Sequence, residues 1–599
     1  MIELFLFFLL VTAVRIPCNV ASSKKDKTNF LFILYDDLRP ELSIYGQTGM
    51  ITPNFERLAR RSVVFDYAFC QIAVCNPSRD SLLTGLRPDS VGTYGFQWSF
   101  RPNVAIPALM RDAGYKTAGY GKVLHWDGPD PEIWSEEQWD GDWYDYQNKE
   151  QGYMNASTQP DKTRPVDEFR DYMFTTKAIN MMTKLHKMEK LFMIGLGFKL
   201  PHLQVHVPFK YFDMYRNRTD MWRRKSRELR YPATSPIVGH KCCGWQNFAF
   251  MNKEGALPSV KKVNIGPVNT QFTQQMYTEL MWGYAAAVTF LDAQIGRLLD
   301  AIDEMKLWNN ITIVLTSDHG MHNGEKGIWE KWTLFDESTR VPLMISHPDS
   351  IYQGQHYTHP VELIDIFPTI IDMFGLYPSK PCLSVGGNSR CYGIQGKSLA
   401  PVVLGDHSTT PSSIYNKRAH LSALGKNDIS KAEIEAARSK HHKHKHSHLN
   451  AKMPTLSRSF AVSQSWRCAP KDLLKRRNEK PDEGRNDISP WFECNRAESK
   501  DPAMRDSQVS VMGYSFRSAE FRYTLWLHFD RVKNIPEYGA PPYAEELYDH
   551  RGEMLSNFTH MELVNVVKHP DYLTIAQNLK AKALHFIQHE VVFHGPYDN

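Results

Sequence analysis

The stretch Asn29-Phe-Leu-Phe-Ile-Leu-Tyr35, which runs straight into Asp36-Asp37, decides the fold class. After Asn29 it is wholly apolar or aromatic and shows no alternation. It therefore reads as a strand buried on both faces, the kind found in parallel sheets covered by helices. Leu191-Phe-Met-Ile-Gly-Leu196, soon followed by Pro201-His202, repeats the pattern. So does Ile311-Thr-Ile-Val-Leu-Thr316, which ends at Ser317-Asp318-His319-Gly320. In open α/β sheets ligands lie beyond the carboxyl ends of the strands, so these three ends, far apart in sequence, are expected to converge on one site. Helical stripes lie between the strands: Tyr284, Val288, Leu291, Ile295 and Leu298, and again Leu363, Ile366, Phe367, Ile370 and Phe374, stopped by Gly375.

Composition fits this reading. A hydrophobic share of 42% and a charged share of 23% describe a globular chain and exclude a wholly disordered one. The formal charge of +5, spread over 599 residues, is too mild for a nucleic-acid binder. Leu4 to Val14 is an almost unbroken apolar run followed by Arg15, Pro17 and the small residues Ala21, Ser22 and Ser23. It predicts a signal peptide over 1–22 and a secretory route; neither it nor any later run is long enough for a membrane span. The sequons at Asn155, Asn217, Asn310 and Asn557 predict glycosylation along that route. Nine cysteines, including Cys18 in the leader, are too sparse for a disulfide scaffold. Cys382 with Cys391, and Cys468 with Cys494, are candidate pairs that would close short loops, but sequence does not fix the pairing.

Three further divisions follow from patterning. A catalytic domain is expected over 24–404, a polar insertion or linker over 405–508, and a smaller α+β C-terminal domain over 509–599. The insertion carries Lys440-His-His-Lys-His-Lys-His-Ser-His448, expected as an exposed loop that binds sulfated polysaccharide more tightly in acid. In the last part, Val511–Phe516 and Arg522–Phe529 read as a hairpin. Pro570 starts a final helix with Leu573, Ala576, Ala583, Leu584 and Ile587 inward. The Arg223, Arg224, Lys225, Arg227 and Arg230 cluster reads as a solvated face.

The sharpest local signal is Cys75-Asn-Pro-Ser-Arg79, continuing to Leu83-Thr-Gly85. Pro77 suits a helix start, which would place Cys75 at a helix N-terminus, where free N–H groups favour an anion. The bland alternative is a buried or disulfide-bonded cysteine.

Here the sequence resembles the sulfatase family, an alkaline-phosphatase-like α/β fold with a mixed, largely parallel central sheet. Cys75-Asn-Pro-Ser-Arg79 matches the family signature, in which the cysteine is oxidised to formylglycine by a formylglycine-generating enzyme in the secretory pathway. Asp36-Asp37, Gly121-Lys-Val-Leu-His125, Pro201-His202, Ser317-Asp318-His319-Gly320, Trp329-Glu-Lys331-Trp and Glu546-Leu-Tyr-Asp549 match its other elements. Asp36-Asp37-Leu-Arg-Pro40 and Met512-Gly-Tyr-Ser-Phe-Arg517 follow the branch that removes 2-O-sulfate from terminal iduronate of heparan or dermatan sulfate. Leu200 where that branch has Lys (with Lys199 one position earlier), the extra Gln204-Val-His-Val207 and Met321 in place of Trp depart from it near the sugar.

The resemblance implies a lysosomal or secreted hydrolase acting on sulfated glycosaminoglycan. One Ca²⁺ would be held by Asp36, Asp37, Asp318, His319 and the modified residue 75. Arg79 and Lys122 would hold the hydrate at residue 75, and Lys122 and Lys331 would clamp the sulfate. His202 would be the general acid, with His125 the partner that completes turnover. The chemistry is sensible on its own terms: cleaving a sulfate monoester needs a nucleophile, cationic clamps and an acid for the leaving oxygen. The rivals are a sulfatase for another sulfated sugar, a phosphoester hydrolase of the same superfamily, and a heparin-binding glycoprotein without catalysis.

Overall fold

Strand β1 (Asn29–Asp36) is the centre of the molecule. It pairs in parallel with β5 (Phe192–Pro201) on one side and with β6 (Ile311–Ser317) on the other, in the register Phe30↔Met193 and Tyr35↔Ser317. The three apolar runs are thus adjacent strands of one sheet, and their carboxyl ends lie side by side. The structure, a computed structural model, describes residues 27–591 apart from 96–104, 126–132, 140–154, 241–243, 250–262, 266–272, 377–392, 406–411, 414–415, 418–452, 468–508 and the single positions 158, 163, 204, 457, 531, 532 and 534.

The rest of the sheet comprises β2 (Ser62–Phe69), β3 (Lys116–Gly121), β4 (Gln138–Trp139), β7 (Arg340–Ser346), β8 (His356–Tyr357) and β9 (Val361–Glu362). Its order is β8-β2-β7-β6-β1-β5-β3-β4, with β9 also on β2. Only β7 runs antiparallel to its neighbours, so the sheet is mixed but largely parallel, as expected. Along β1 the side chains alternate between two cores. Leu31, Ile33 and Tyr35 pack with the helices Arg170–Lys187 and Gln274–Glu304. Phe30, Phe32 and Leu34 pack with the helices Cys75–Thr84 and Ile366–Phe374. Burial on both faces is why no polar alternation is legible in the strand. Both predicted stripes are helical, and Gly375 ends the second in a left-handed conformation at φ 60°.

A second, antiparallel sheet lies C-terminally. It contains Val511–Arg517 paired with Phe521–Asp530, the expected hairpin, and Ala544–Asp549 beside it. It also contains Ala461–Arg467, a strand within the stretch expected to be polar insertion. The last helix forms as a 3-10 turn, Pro570–Tyr572, then Leu573–Phe586. Ala576, Ala583 and Ile587 are buried, but Leu573 is 45% exposed, against expectation. Its position at the first residue of the α-helical segment leaves it outside the packed stripe. Arg224 also departs from expectation. It packs on the Tyr277 ring and donates to Thr559 Oγ1 at 2.6 Å, while its neighbours Arg223, Lys225, Arg227 and Arg230 are exposed. No helix among the described residues is long and apolar enough to cross a membrane. The leader, the His-rich tract and Cys382, Cys391, Cys468 and Cys494 lie outside the described residues.

Candidate active site

Helix Cys75–Thr84 begins at Cys75 itself, two residues before Pro77, with Val74 extended as its cap. The thiol is thereby placed at the helix N-terminus and is buried, 1% exposed. It points at the ends of β1 and β6. Cys75 Sγ is 3.3 Å from Asp36 Oδ1, 3.3 Å from His319 Nε2 and 3.3 Å from Lys331 Nζ. Burial opposes the thiolate, but Lys122, Lys331 and His319 together hold the Cys75 thiol well below its ordinary range.

Each remaining predicted residue except those outside the described segments can be placed. Asp36 pairs with Lys122 Nζ; Asp37 Oδ1 pairs with Lys331 Nζ at 2.9 Å and with His319 Nδ1 at 3.1 Å. His202, at the end of β5, has Nε2 3.9 Å from Asp37 Oδ2 and a side chain 28% exposed, so it stands where the site opens. Asp318 Oδ2 receives Arg79 Nε at 2.9 Å, and burial pushes the Asp318 carboxyl up to about 6. His125 is hydrogen-bonded with Cys75; burial and then the charge of Lys122 push it down to about 3. The sequence thus brings Asp36, Asp37, Cys75, Arg79, Lys122, His125, His202, Asp318, His319 and Lys331 together.

Lys122 reaches the site through a close backbone approach. β3 ends at Gly121 in the left-handed region, φ 68°, and Lys122 N donates to Gly197 O at 2.7 Å. A Cβ on Gly197 would lie 2.0 Å from the Lys122 carbonyl carbon, so the glycine is required for the turn to pass.

The donor set suits a hard divalent cation. Asp36, Asp37 and Asp318 are 0 to 1% exposed and offer hard oxygen donors at two adjacent strand ends, although Lys122, Lys331 and Arg79 already face them. One potential ligand atom from each of Asp36, Cys75, Asp318 and His319 lies within 4.8 Å of the others, and the same holds for Asp36, Asp37 and His202. The carboxylates fit a calcium-type ion well. His319 fits less well, since Nδ1 already faces Asp37 and Nε2 faces Cys75.

Sequence reasoning missed the groups that position these side chains. Ser78 Oγ donates to the Asp318 carbonyl, and Ser317 Oγ accepts from Leu38 N at 2.9 Å and donates to His319 O at 2.9 Å. The hydroxyls sit inside the quoted motifs, but nothing in the spacing shows which backbone groups they meet. Of the four sequon asparagines, Asn217, Asn310 and Asn557 are exposed, and the side chain of Asn155 is outside the described residues.

The chain is similar to known sulfatases and to related hydrolases of the same fold. An iduronate 2-sulfatase of Mus musculus is 28% identical over 573 residues, across 88% of this chain and 89% of that protein. A sulfatase of Formosa agariphila is 30% identical over 407 residues, 62% of this chain and 75% of its own. The solved phosphonate monoester hydrolase of Agrobacterium radiobacter superposes with a TM-score of 0.60 at 18% identity, over 94% of this chain and 96% of that one, a likeness of fold. The family model described as Sulfatase matches residues 28–376, more than half of the chain and every site residue named above. A buried cysteine at a helix start, ringed by carboxylates, lysines and histidines within that match, leads to one conclusion: the chain belongs to the sulfatase family.

Proposed function

We propose that this sulfatase removes the 2-O-sulfate of terminal iduronate in heparan or dermatan sulfate, with residue 75 converted from cysteine to formylglycine. The observation that carries the reading is the convergence of Asp36, His319 and Lys331, each 3.3 Å from Cys75 Sγ. The 28% identity to iduronate 2-sulfatase across 88% of the chain favours this substrate. A formylglycine at 75 supplies, as its hydrate, the hydroxyl that attacks sulfur and a second hydroxyl whose deprotonation releases sulfate. Asp36, Asp37 and Asp318, with His319 beside them, would hold Ca²⁺, which would polarise the sulfate.

The chain's own residues do the rest. Lys331 and Lys122 flank residue 75 and are placed to hold sulfate oxygens. His202, at the opening, donates a proton to the sugar oxygen as its bond to sulfur breaks. His125, hydrogen-bonded at residue 75, would take the proton that ends turnover. The leader and the exposed sequons support a secretory, glycosylated protein destined for lysosome or extracellular space, modified on the way by a formylglycine-generating enzyme.

Peptide mass spectrometry of protein from a secretory host should find residue 75 about 18 Da lighter than cysteine, as replacing the thiol by an aldehyde requires. Active enzyme carrying only unmodified Cys75 would refute the mechanism. Turnover of a panel of sulfated disaccharides at pH 4–8 tests the substrate. A second reading, another sulfated sugar, is favoured by Leu200, the extra Gln204-Val-His-Val207 and Met321, which depart from the iduronate branch. Preference for a different sulfate position in that panel would establish it.

A further inference from the structure

Three consecutive backbone N–H groups at the end of β1 donate to side chains. Asp37 N donates to Asp318 Oδ1 at 3.3 Å, Leu38 N to Ser317 Oγ at 2.9 Å and Arg39 N to Tyr284 Oη at 3.0 Å. The same Tyr284 hydroxyl donates its proton to the Asp37 carbonyl at 2.8 Å, so one buried hydroxyl brackets the peptide units on either side of Leu38. Asp37 needs such bracing, because its φ is 68°, a left-handed region that a non-glycine residue rarely enters. Arg39 completes the brace. Its guanidinium, 0% exposed and over the Tyr284 ring, donates through Nη1 to Met321 O at 2.9 Å and through Nε to Glu41 Oε2 at 3.1 Å. Its Nη2 lies 2.9 Å from Glu325 Oε1. Met321 follows Asp318-His319-Gly320, so Arg39 ties the loop after β1 to the loop after β6.

We propose that Tyr284 and Arg39 are positioning residues for the cation. They hold Asp37 in its left-handed conformation and fix the two carboxylate-bearing loops at one separation. The inference rests on the reading of Asp37 and Asp318 as cation ligands. Neither residue touches the ligand atoms, so the effect runs through the backbone of Asp37 and the carbonyl of Met321. Outer groups of this kind commonly govern metal affinity by 10- to 100-fold.

The test is a calcium titration of the thermal unfolding midpoint, on chelator-stripped full-length protein, for wild type, Tyr284→Phe, Arg39→Lys and Tyr45→Phe. Tyr45 is the matched control. It is also fully buried, and its hydroxyl also bridges a backbone pair, accepting from Leu343 N at 3.0 Å and donating to Leu343 O at 3.3 Å, in a strand that carries no site residue. Calcium should raise the wild-type midpoint. Tyr284→Phe and Arg39→Lys should need about 10-fold more calcium for half the effect, whereas Tyr45→Phe should titrate like wild type whatever its starting midpoint. The lysine keeps the charge beside Glu325 but cannot serve Met321 O, Glu41 and Glu325 together. Equal calcium requirements for Tyr284→Phe and wild type, or an equal displacement in Tyr45→Phe, would overturn the inference. A wild-type midpoint indifferent to calcium would instead overturn the cation reading, and the inference with it.

Discussion

Arg79 shows how much of the site chemistry is internal bracing. It is 1% exposed, and besides Asp318 its guanidinium donates to the carbonyls of Tyr35 at 3.1 Å and Val123 at 3.3 Å, and to that of Lys122. It therefore joins the helix of residue 75 to the ends of β1 and β3. Lysine would present one ammonium in place of this planar fork and leave buried acceptors unpaired. Arg79→Lys should cost about 1–3 kcal/mol of stability, read as a lower denaturant midpoint at unchanged slope. A shift below about 1 kcal/mol would contradict this account. The candidate site residues themselves were legible in the sequence, because each lies in a short motif at a strand or helix end. Their bracing was not. Tyr284 reads as one more apolar-stripe residue, and nothing in the sequence shows that its hydroxyl meets Asp37, 247 residues away.

At the scale of elements, the Gly121–Lys122 turn depends on β5 having no side chain at 197. Gly197→Ala would drive a methyl group into the Lys122 backbone and displace both Lys122 and His125. Misplacement of about 1 Å at a reacting group costs about 100-fold in rate. Turnover should therefore fall far more than the thermal midpoint, and a fall in midpoint with normal kcat would argue against it. Asp292, on the helix Gln274–Glu304, joins that helix to Pro53–Ala59 by accepting from Asn54 N and Phe55 N, each at 2.9 Å. Burial outweighs these donors and pushes its carboxyl up to about 6 from 3.8. A raised acid favours the folded state below the unfolded pKa, and that advantage disappears as pH rises from about 4 to about 6. The stability of Asp292→Asn relative to wild type should therefore rise between pH 4 and 7, by up to about 3 kcal/mol; a pH-independent difference would show that Asp292 is ionised throughout. The strand Ala461–Arg467 was illegible for a related reason. Its polar residues are buried with partners, Gln464 Nε2 on Asp89 Oδ1 at 2.8 Å and Arg467 Nη2 on Trp332 O at 3.0 Å, so polarity there did not mean exposure.

Across the whole molecule, the two sheets are joined by a buried charge network. Asp336, just after the Lys331 segment, pairs with Arg522 and, at 3.2 Å, with Arg517 of the C-terminal sheet. Arg522 also pairs with Glu562, and Arg517 lies 3.0 Å from Glu553. His550 stands between Glu553 at 2.6 Å and Glu562 at 3.2 Å. Although Asp336, His550 and Glu562 cluster at ligand distances, the arginines already balance their carboxylates. Arg522→Met should leave Asp336 with Arg517 and Glu562 with His550 as their remaining charged partners, one buried cation short, at a cost of about 3–5 kcal/mol. The two sheets should still unfold in one transition, with tryptophan fluorescence and far-ultraviolet circular dichroism changing together. Two separate transitions in the wild type would show that the network does not couple them.

The pairing of Tyr35 with Ser317 has a consequence for how the chain is made. The two residues are 282 positions apart, and β1 gains β5 as its first partner strand and β6 only much later in synthesis. At ordinary translation rates of about 5–20 residues per second, roughly 14–56 seconds separate the emergence of one from the other. During the later part of that interval the first strand lacks only its neighbour on the β6 side, and residue 75 does not yet have Asp318, His319 and Lys331 beside it. The delay sets a clock: were another protein to modify the Cys75 thiol before the fold closes over it, a faster ribosome would shorten the time allowed.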